Sequence, residues 1–239
     1  MILVSGDGKL ARALVDLSSD DIQITKLPKK VMDITDEYEV SEVIKRYMTQ
    51  PDYPKYFVHT AALTKPMNIN DRNPIMSLST NIVGTANVAK ICHKYGIKFI
   101  YISTDFVYDS DDKVNEESSL KPMNKYGWSK LGGECAVRMY DNHLILRVSM
   151  NKKPFPHPKA LVDMKKSLIY IDEAAMITLK LLDEKGTINV GGKSQSVYDF
   201  VKRTNKDVGK IYLDNISDVN MAKDCSMNIS KMEKIINEL

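Results

Sequence analysis

The sequence predicts an α/β protein built on a doubly wound parallel sheet. Three observations carry this. Short apolar runs alternate with stretches of helical spacing over residues 1–150, an order that joins parallel strands through helical crossovers. The runs are apolar nearly throughout, as strands covered on both faces require. A turn of the form Gly6-x-Gly8-x-x-Ala11 closes the first run and opens the first helical stretch, where phosphate-binding turns sit in such sheets.

The elements follow in order. "MILVS" is a strand ending in the glycine turn, and "KLARALVDL" continues as a helix. "DIQITKL" (21–27) alternates as a second strand. "DITDEYEVSEVIKRYM" is a helix with Thr35 or Asp36 as its N-cap. "KYFVHTAA" (55–62) is a third strand. "PIMSLSTNIVGTANVAKICHKYG" reads as one long helix with Gly96 past its end. "IKFIYIST" (97–104) and "HLILRVS" (143–149) are the fourth and fifth strands, and 124–140 between them has helical spacing.

Beyond residue 150 the pattern changes. "NKKPFPHPK" is a Pro- and Lys-rich loop, followed by short strands "SLIYI" and "TINV", a helix from Asp172, a helix "SVYDFVKRT" capped by Ser196, and a terminal helix. This part reads as a small, partly helical lobe.

Composition excludes several classes. Apolar content of 43% and charged content of 27% suit a soluble globular chain. A net charge of +3, spread without a basic block, gives no reason to expect nucleic-acid binding. No apolar run is long enough to span a bilayer, and the N-terminus lacks the layout of a secretory signal. Cys92, Cys135 and Cys225 are far apart and odd in number, so neither a disulfide framework nor a zinc site is expected. A cytoplasmic location is the natural expectation.

At the nucleotide end, Gly6 permits the tight turn, Gly8 lets backbone approach a pyrophosphate, and Ala11 lets helix and strand pack closely. An ordinary glycine turn is the plain alternative. An NAD site usually has an acid at the end of the second strand; here "TKLPKK" offers Lys26, Lys29 and Lys30. Cations there suit a 2′-phosphate, so NADP is the expected cofactor and NAD the alternative; a solvated lysine loop fits the same letters. Asp33 can accept from an adenine amino group or belong to a helix cap.

At the other end, "YISTDFVYD" places Ser103, Thr104 and Asp105 at the C-terminal edge of the fourth strand, where ligands of open sheets bind. Tyr126 and Lys130 stand four apart on the next helix, on one face. The chain has 12 tyrosines, and Tyr198 and Lys202 repeat the spacing. Spacing alone therefore decides nothing. Only Tyr126 follows a nucleotide turn and a Ser-Thr strand edge; Tyr198 and Lys202 read as a packed ring and a solvated lysine.

The segments "GDGKLA", "MDITD", "HTAALT", "NIVGTANVAKIC", "ISTDFVYD", "KPMNKYGWSKLGGE", "LILRVS", "YIDEAA" and "INVGGK" together resemble the extended short-chain dehydrogenase/reductases, and within them the dTDP-4-dehydrorhamnose reductase branch. The resemblance implies a Rossmann-type NAD(P)-binding domain over residues 1–150 and a small substrate lobe over 151–239, interleaved with it. It implies hydride transfer from NADPH to the C4 ketone of a dTDP- or UDP-linked 4-keto-6-deoxy sugar, giving the L-rhamnose nucleotide. Tyr126 would give its proton to the developing alkoxide. Lys130, as an ammonium, would lower the phenol's pKa from about 10 and bind the nicotinamide ribose. Thr104 would polarise the carbonyl, with Ser103 as backup.

Cofactor contacts are implied for Gly6, Gly8, Lys9, Leu10, Lys29, Asp33, Ile34, Ala61, Ala62, Ser103, Tyr126 and Lys130. Substrate contacts are implied for Thr104, Asp105, Tyr126 and Met150. Asn81 and Thr85 face the strand ends from the long helix, as site residues or as helix–sheet fasteners. A homodimer and a separate upstream 3,5-epimerase are implied partners, and no metal.

The chain also departs from the family. The nucleotide turn is one residue shorter than usual, the aromatic "TSW" stretch is replaced by "VSMNKKPFPHPK", and the segment after it is short. Two other readings stay open: a nucleotide-sugar epimerase or dehydratase, and a non-catalytic NADP-binding subunit like the methionine adenosyltransferase β subunit. Phe106 stands where an epimerase-reductase of the GDP-fucose type has cysteine, and the Asp-Glu pair of a dehydratase is incomplete after Thr104.

Overall fold

The computed structural model describes residues 1–66, 68–109, 114–216 and 218–238. Its centre is a parallel sheet of β1 (Ile2–Ser5), β2 (Ile24–Leu27), β3 (Tyr56–His59), β4 (Lys98–Thr104), β5 (His143–Val148) and β6 (Gly186–Val190), ordered β2-β1-β3-β4-β5-β6. The order runs outward in both directions from β1. That reversal opens a crevice at the C-terminal ends of β1 and β3. The segment "TINV", beyond the Pro-rich loop, returns to the main sheet as β6 beside β5.

The helices are α1 (Lys9–Val15), α2 (Glu37–Met48), α3 (Gly84–Tyr95), α4 (Lys125–Val137), α5 (Ile171–Lys180), α6 (Val197–Lys202) and α7 (Ser230–Glu238). They cover both faces, which is why the strands are apolar throughout. On one face Leu10, Leu14, Ala174, Ala175 and Met232 meet Val4, Ile100 and Leu146. On the other, Val40, Ile44, Val88, Ile91 and Val137 meet Leu3, Phe57, Phe99 and Ile145. Successive strand residues thus serve opposite cores.

Asp36, rather than Thr35, caps α2, its carboxylate accepting from the Glu39 amide at 3.1 Å. Gly96 ends α3 at φ +69°. The long helix expected from Pro74 differs at its start. A single turn, Pro74–Ser77, passes into a π-helical turn, Leu78–Val83, before α3 begins. Asn81 lies in that wider turn, and its side chain bonds outward to Leu63 instead of to the helix.

The lobe has its own small core, including Ala160, Met164, Leu168, Val197, Phe200 and Cys225. Short strands Lys165–Lys166, Gln195–Ser196 and Asp224–Cys225 form one sheet, and Lys159–Leu161 pairs with Gly209–Ile211. Ser196 caps α6 by accepting from the Asp199 amide at 2.9 Å. Cys92, Cys135 and Cys225 are free. Among the described residues no helix is long and apolar enough to cross a membrane, and none form a metal-binding cluster of His, Cys, Asp and Glu.

Candidate active site

A cavity of about 650 Å³ runs along the C-terminal edge of the sheet. The turn after β1 gives it Gly6, Gly8, Lys9 and Leu10; the chain after β2 gives Lys29, Asp33 and Ile34; the end of β3 gives Ala61 and Ala62. The end of β4 gives Ser103, Thr104 and Asp105, α4 gives Tyr126 and Lys130, and the chain after β5 gives Met150. All the residues assigned above to cofactor or substrate thus line one space. Close backbone approach makes this compact. Gly6 lies at φ +90°, and a Cβ there would stand 3.1 Å from the Ala61 Cα. A Cβ on Gly127 would fall 2.4 Å from the Phe106 carbonyl oxygen, so only glycine lets α4 seat Tyr126 against the end of β4.

The reactive groups form a chain of contacts. Asn124 caps α4 by accepting from the Gly127 amide at 2.9 Å, which fixes the helix start beside Tyr126. Thr104 lies close enough to the Tyr126 hydroxyl to favour its anion. The Thr104 hydroxyl donates to Asp105 Oδ1 at 3.1 Å and accepts from the Phe106 amide at 3.3 Å. Asp105 Oδ2 accepts from Ser149 at 2.6 Å and pairs with Lys166 at 2.9 Å. The buried Lys130 Nζ lies 4.1 Å from the Tyr101 ring centroid, a cation–π contact.

Two implied roles need correction. Lys130 does not hold the Tyr126 phenol below its ordinary value. Burial, and then the charge of Asp105, push that phenol up, and only Thr104 opposes them. Burial brings Lys130 down to about 7, against the pull of Glu134 one helical turn on. Ser103 is no backup for Thr104 either. Its hydroxyl donates to Glu134 Oε1 at 2.6 Å.

That contact opens a buried network beneath the site. Glu134 takes Arg147 through Nε at 3.1 Å and Nη2 at 2.8 Å, a bidentate pair in which both side chains are at most 1% exposed. Arg147 Nη1 donates to the Tyr108 hydroxyl at 2.6 Å, which donates to Asn189 Oδ1 at 2.8 Å. The network ties α4 to β4, β5 and β6 directly under Lys130. Asn81 and Thr85 prove to be fasteners outside the cavity lining. Asn81 Nδ2 donates to Ser129 at 2.8 Å, and Thr85 meets His59 Nε2 at 3.1 Å. His59 also meets Ser5 at 2.8 Å, and burial holds its pKa down to about 3, so it is a neutral strut.

At the nucleotide end, Lys26 pairs with Asp7, and Lys29 pairs with Asp33 at 3.3 Å. Asp33 also accepts from the Thr35 amide at 3.0 Å. Lys26 and Lys30 do not line the cavity, whereas Lys29 does. Tyr198 and Lys202 lie in the lobe with Nζ 5.8 Å from the ring centroid, away from the cavity.

The cavity also has residues that the sequence did not single out. Lys166 arrives from the lobe, over the Phe106 ring at 3.8 Å. Lys65 and Lys152, from the chain after β3 and after β5, join Lys9 on the rim. None of these three has an ion-pair partner among the described residues. Burial and the neighbouring Lys152 and Lys9 bring Lys65 down to about 8. The one sequence signal for any of them was the lysine-rich loop containing Lys152.

Residues 1–151 match a family model described as the RmlD substrate binding domain. The dTDP-4-dehydrorhamnose reductase of Mycolicibacterium smegmatis is 30% identical over 141 residues, 57% of this chain and 41% of that protein. The methionine adenosyltransferase 2 subunit beta of Xenopus laevis is 33% identical over 107 residues, 44% of this chain and 30% of that protein. The chain spans less than half the length of these relatives. Across its whole length it superposes on the crystal structure of dTDP-4-dehydrorhamnose reductase from Bacillus anthracis in complex with NADP. There the TM-score is 0.86 at 22% identity, with 100% of this chain and 99% of that one covered. With the family model covering the sheet from β1 to β5 and the site residues up to Met150, the chain belongs to the RmlD substrate-binding domain family.

Proposed function

We propose that this chain reduces the C4 ketone of a nucleotide-linked 4-keto-6-deoxy sugar with NADPH, NADH being the alternative donor. One observation carries the reading: Thr104, Tyr126 and Lys130 line the same cavity as the Gly6–Gly8 turn. The residues fit a dinucleotide. The cleft is nucleotide-sized, its floor is stripped of side chains at Gly6 and Gly8, and the rim offers Lys9, Lys65 and Lys152, which have no ion-pair partner among the described residues, for a diphosphate. When bound, the reduced nicotinamide supplies hydride to the carbonyl carbon.

The side chains supply the rest. Tyr126 remains a neutral phenol across the physiological range, because burial and Asp105 disfavour its anion. It is therefore loaded to give a proton to an oxygen that becomes an alkoxide. Thr104, close to the Tyr126 hydroxyl, places a second hydroxyl at the same oxygen. Lys130, its ammonium over the Tyr101 ring, receives the ribose hydroxyls. Asp105, fixed by Ser149 and Lys166, meets the sugar hydroxyls. The substrate is a dTDP- or UDP-sugar delivered by a separate 3,5-epimerase, since Phe106 stands where an epimerase-reductase carries its cysteine. Incubation with NADPH and dTDP- or UDP-4-keto-6-deoxy sugar should consume absorbance at the nicotinamide band. Cofactor binding without turnover would overturn the reductase reading in favour of a binding subunit.

The same reading makes the chain a homodimer in the cytoplasm. Ile75, Leu78, Val83 and Trp128 are exposed on α4 and on the segment packed against it, an apolar surface of the kind that marks an interface. Light scattering should give twice the chain mass, and Trp128→Glu should halve it. A monomeric wild type would refute this.

A further inference from the structure

The residue about twenty positions after the first glycine of a dinucleotide turn is usually an acid that accepts from the adenosine ribose. Here that residue is Lys26, paired in register with Val4 near the end of β2. The fold supplies a carboxylate to the same place by another route. Asp7, between Gly6 and Gly8, lines the cavity and reaches across to Lys26. It also takes Arg12 from α1 in a two-point contact, Nε to Oδ1 at 3.2 Å and Nη2 to Oδ2 at 3.1 Å. The end of β2 therefore holds one anion between two cations.

We infer that Asp7 is the residue that discriminates between NAD and NADP, in exchange with Arg12 and Lys26. This rests on the dinucleotide reading above and refines it. A ribose 2′-hydroxyl is a donor, and Asp7 is the acceptor beside it. A 2′-phosphate, with a charge near −2, is repelled by Asp7 but attracted by Arg12 and Lys26. It can bind only by taking those cations from the carboxylate. The guanidinium suits that exchange, because the fork that holds a carboxylate at two points holds a phosphate the same way. The two occupants thus use opposite members of one cluster, and neither is excluded. Arg12 and then Lys26 hold the Asp7 carboxyl down to about 2, so the group is an anion near neutral pH. The neighbouring Lys29 is engaged by Asp33 and adds a further cation on the same side.

The test is titration of NADPH and NADH by nicotinamide fluorescence, on wild type, Asp7→Asn and Arg12→Gln. Wild type should bind both cofactors with affinities within about tenfold of each other. Asp7→Asn removes the repulsion and the ribose acceptor together, so the affinity ratio should move about tenfold toward NADPH. Arg12→Gln should move it toward NADH, and added salt should weaken NADPH more than NADH. Asp7→Ala checks that the shift follows the lost charge rather than the new amide. An unchanged ratio in Asp7→Asn and Asp7→Ala, or a shift toward NADH, overturns the inference while leaving the dinucleotide site standing. Failure of wild type to bind either cofactor overturns both.

Discussion

Tyr126→Phe is expected to lower ketone reduction by about 10²–10⁴-fold, the usual contribution of a positioned general acid. Cofactor affinity should change little, since the ring and its packing remain. The spacing twin provides the control: Tyr198→Phe should leave turnover at the wild-type level, because Tyr198 packs in the lobe away from the cavity. Equal losses in the two variants would sink the site assignment. The pH profile adds a second reading of the same machinery. Lys130 sits at about 7, lowered by burial. Its ammonium is present below that pH and lost above it, so kcat/KM for reduction should fall as pH rises through about 7. The phenol, pushed upward, stays protonated and adds no limb there. Lys130→Met should remove the limb along with most of the rate; a limb that survives belongs to another group.

The second large effect concerns stability. Glu134→Ala leaves the Arg147 guanidinium, at most 1% exposed, without its bidentate partner. Breaking such a pair costs about 3–5 kcal/mol, which for a chain of this size lowers the melting temperature on the order of 10 °C. The same substitution frees Ser103 and removes the charge one turn below Lys130, so activity should fall as well. The double variant Glu134→Met with Arg147→Met should recover much of the stability, because exchanging a buried ion pair for apolar side chains is often neutral. Calorimetry of the three proteins decides the matter. A Glu134→Ala variant as stable as wild type would show that the network does not hold α4 to the sheet.

The sequence by itself determined the parallel sheet, its first five strands and the order of the crossovers. These follow from local facts: apolar runs with both faces covered, a helix start at Thr35 or Asp36, and Gly96 past the end of the long helix. It also picked out Tyr126 over Tyr198, because position relative to the glycine turn and the Ser-Thr edge is a matter of chain order. The tertiary structure decided what chain order does not encode. Asp7 reaches Lys26 across 19 positions, and Lys166 reaches Asp105 from the lobe, so an acid that looked missing from the end of β2 is present there. Ser103 turned out to be committed to Glu134, thirty-one residues away. The directions of the Tyr126 and Lys130 shifts were likewise out of reach. They are set by how much water the packed elements exclude, and burial is a property of the assembled fold rather than of any segment.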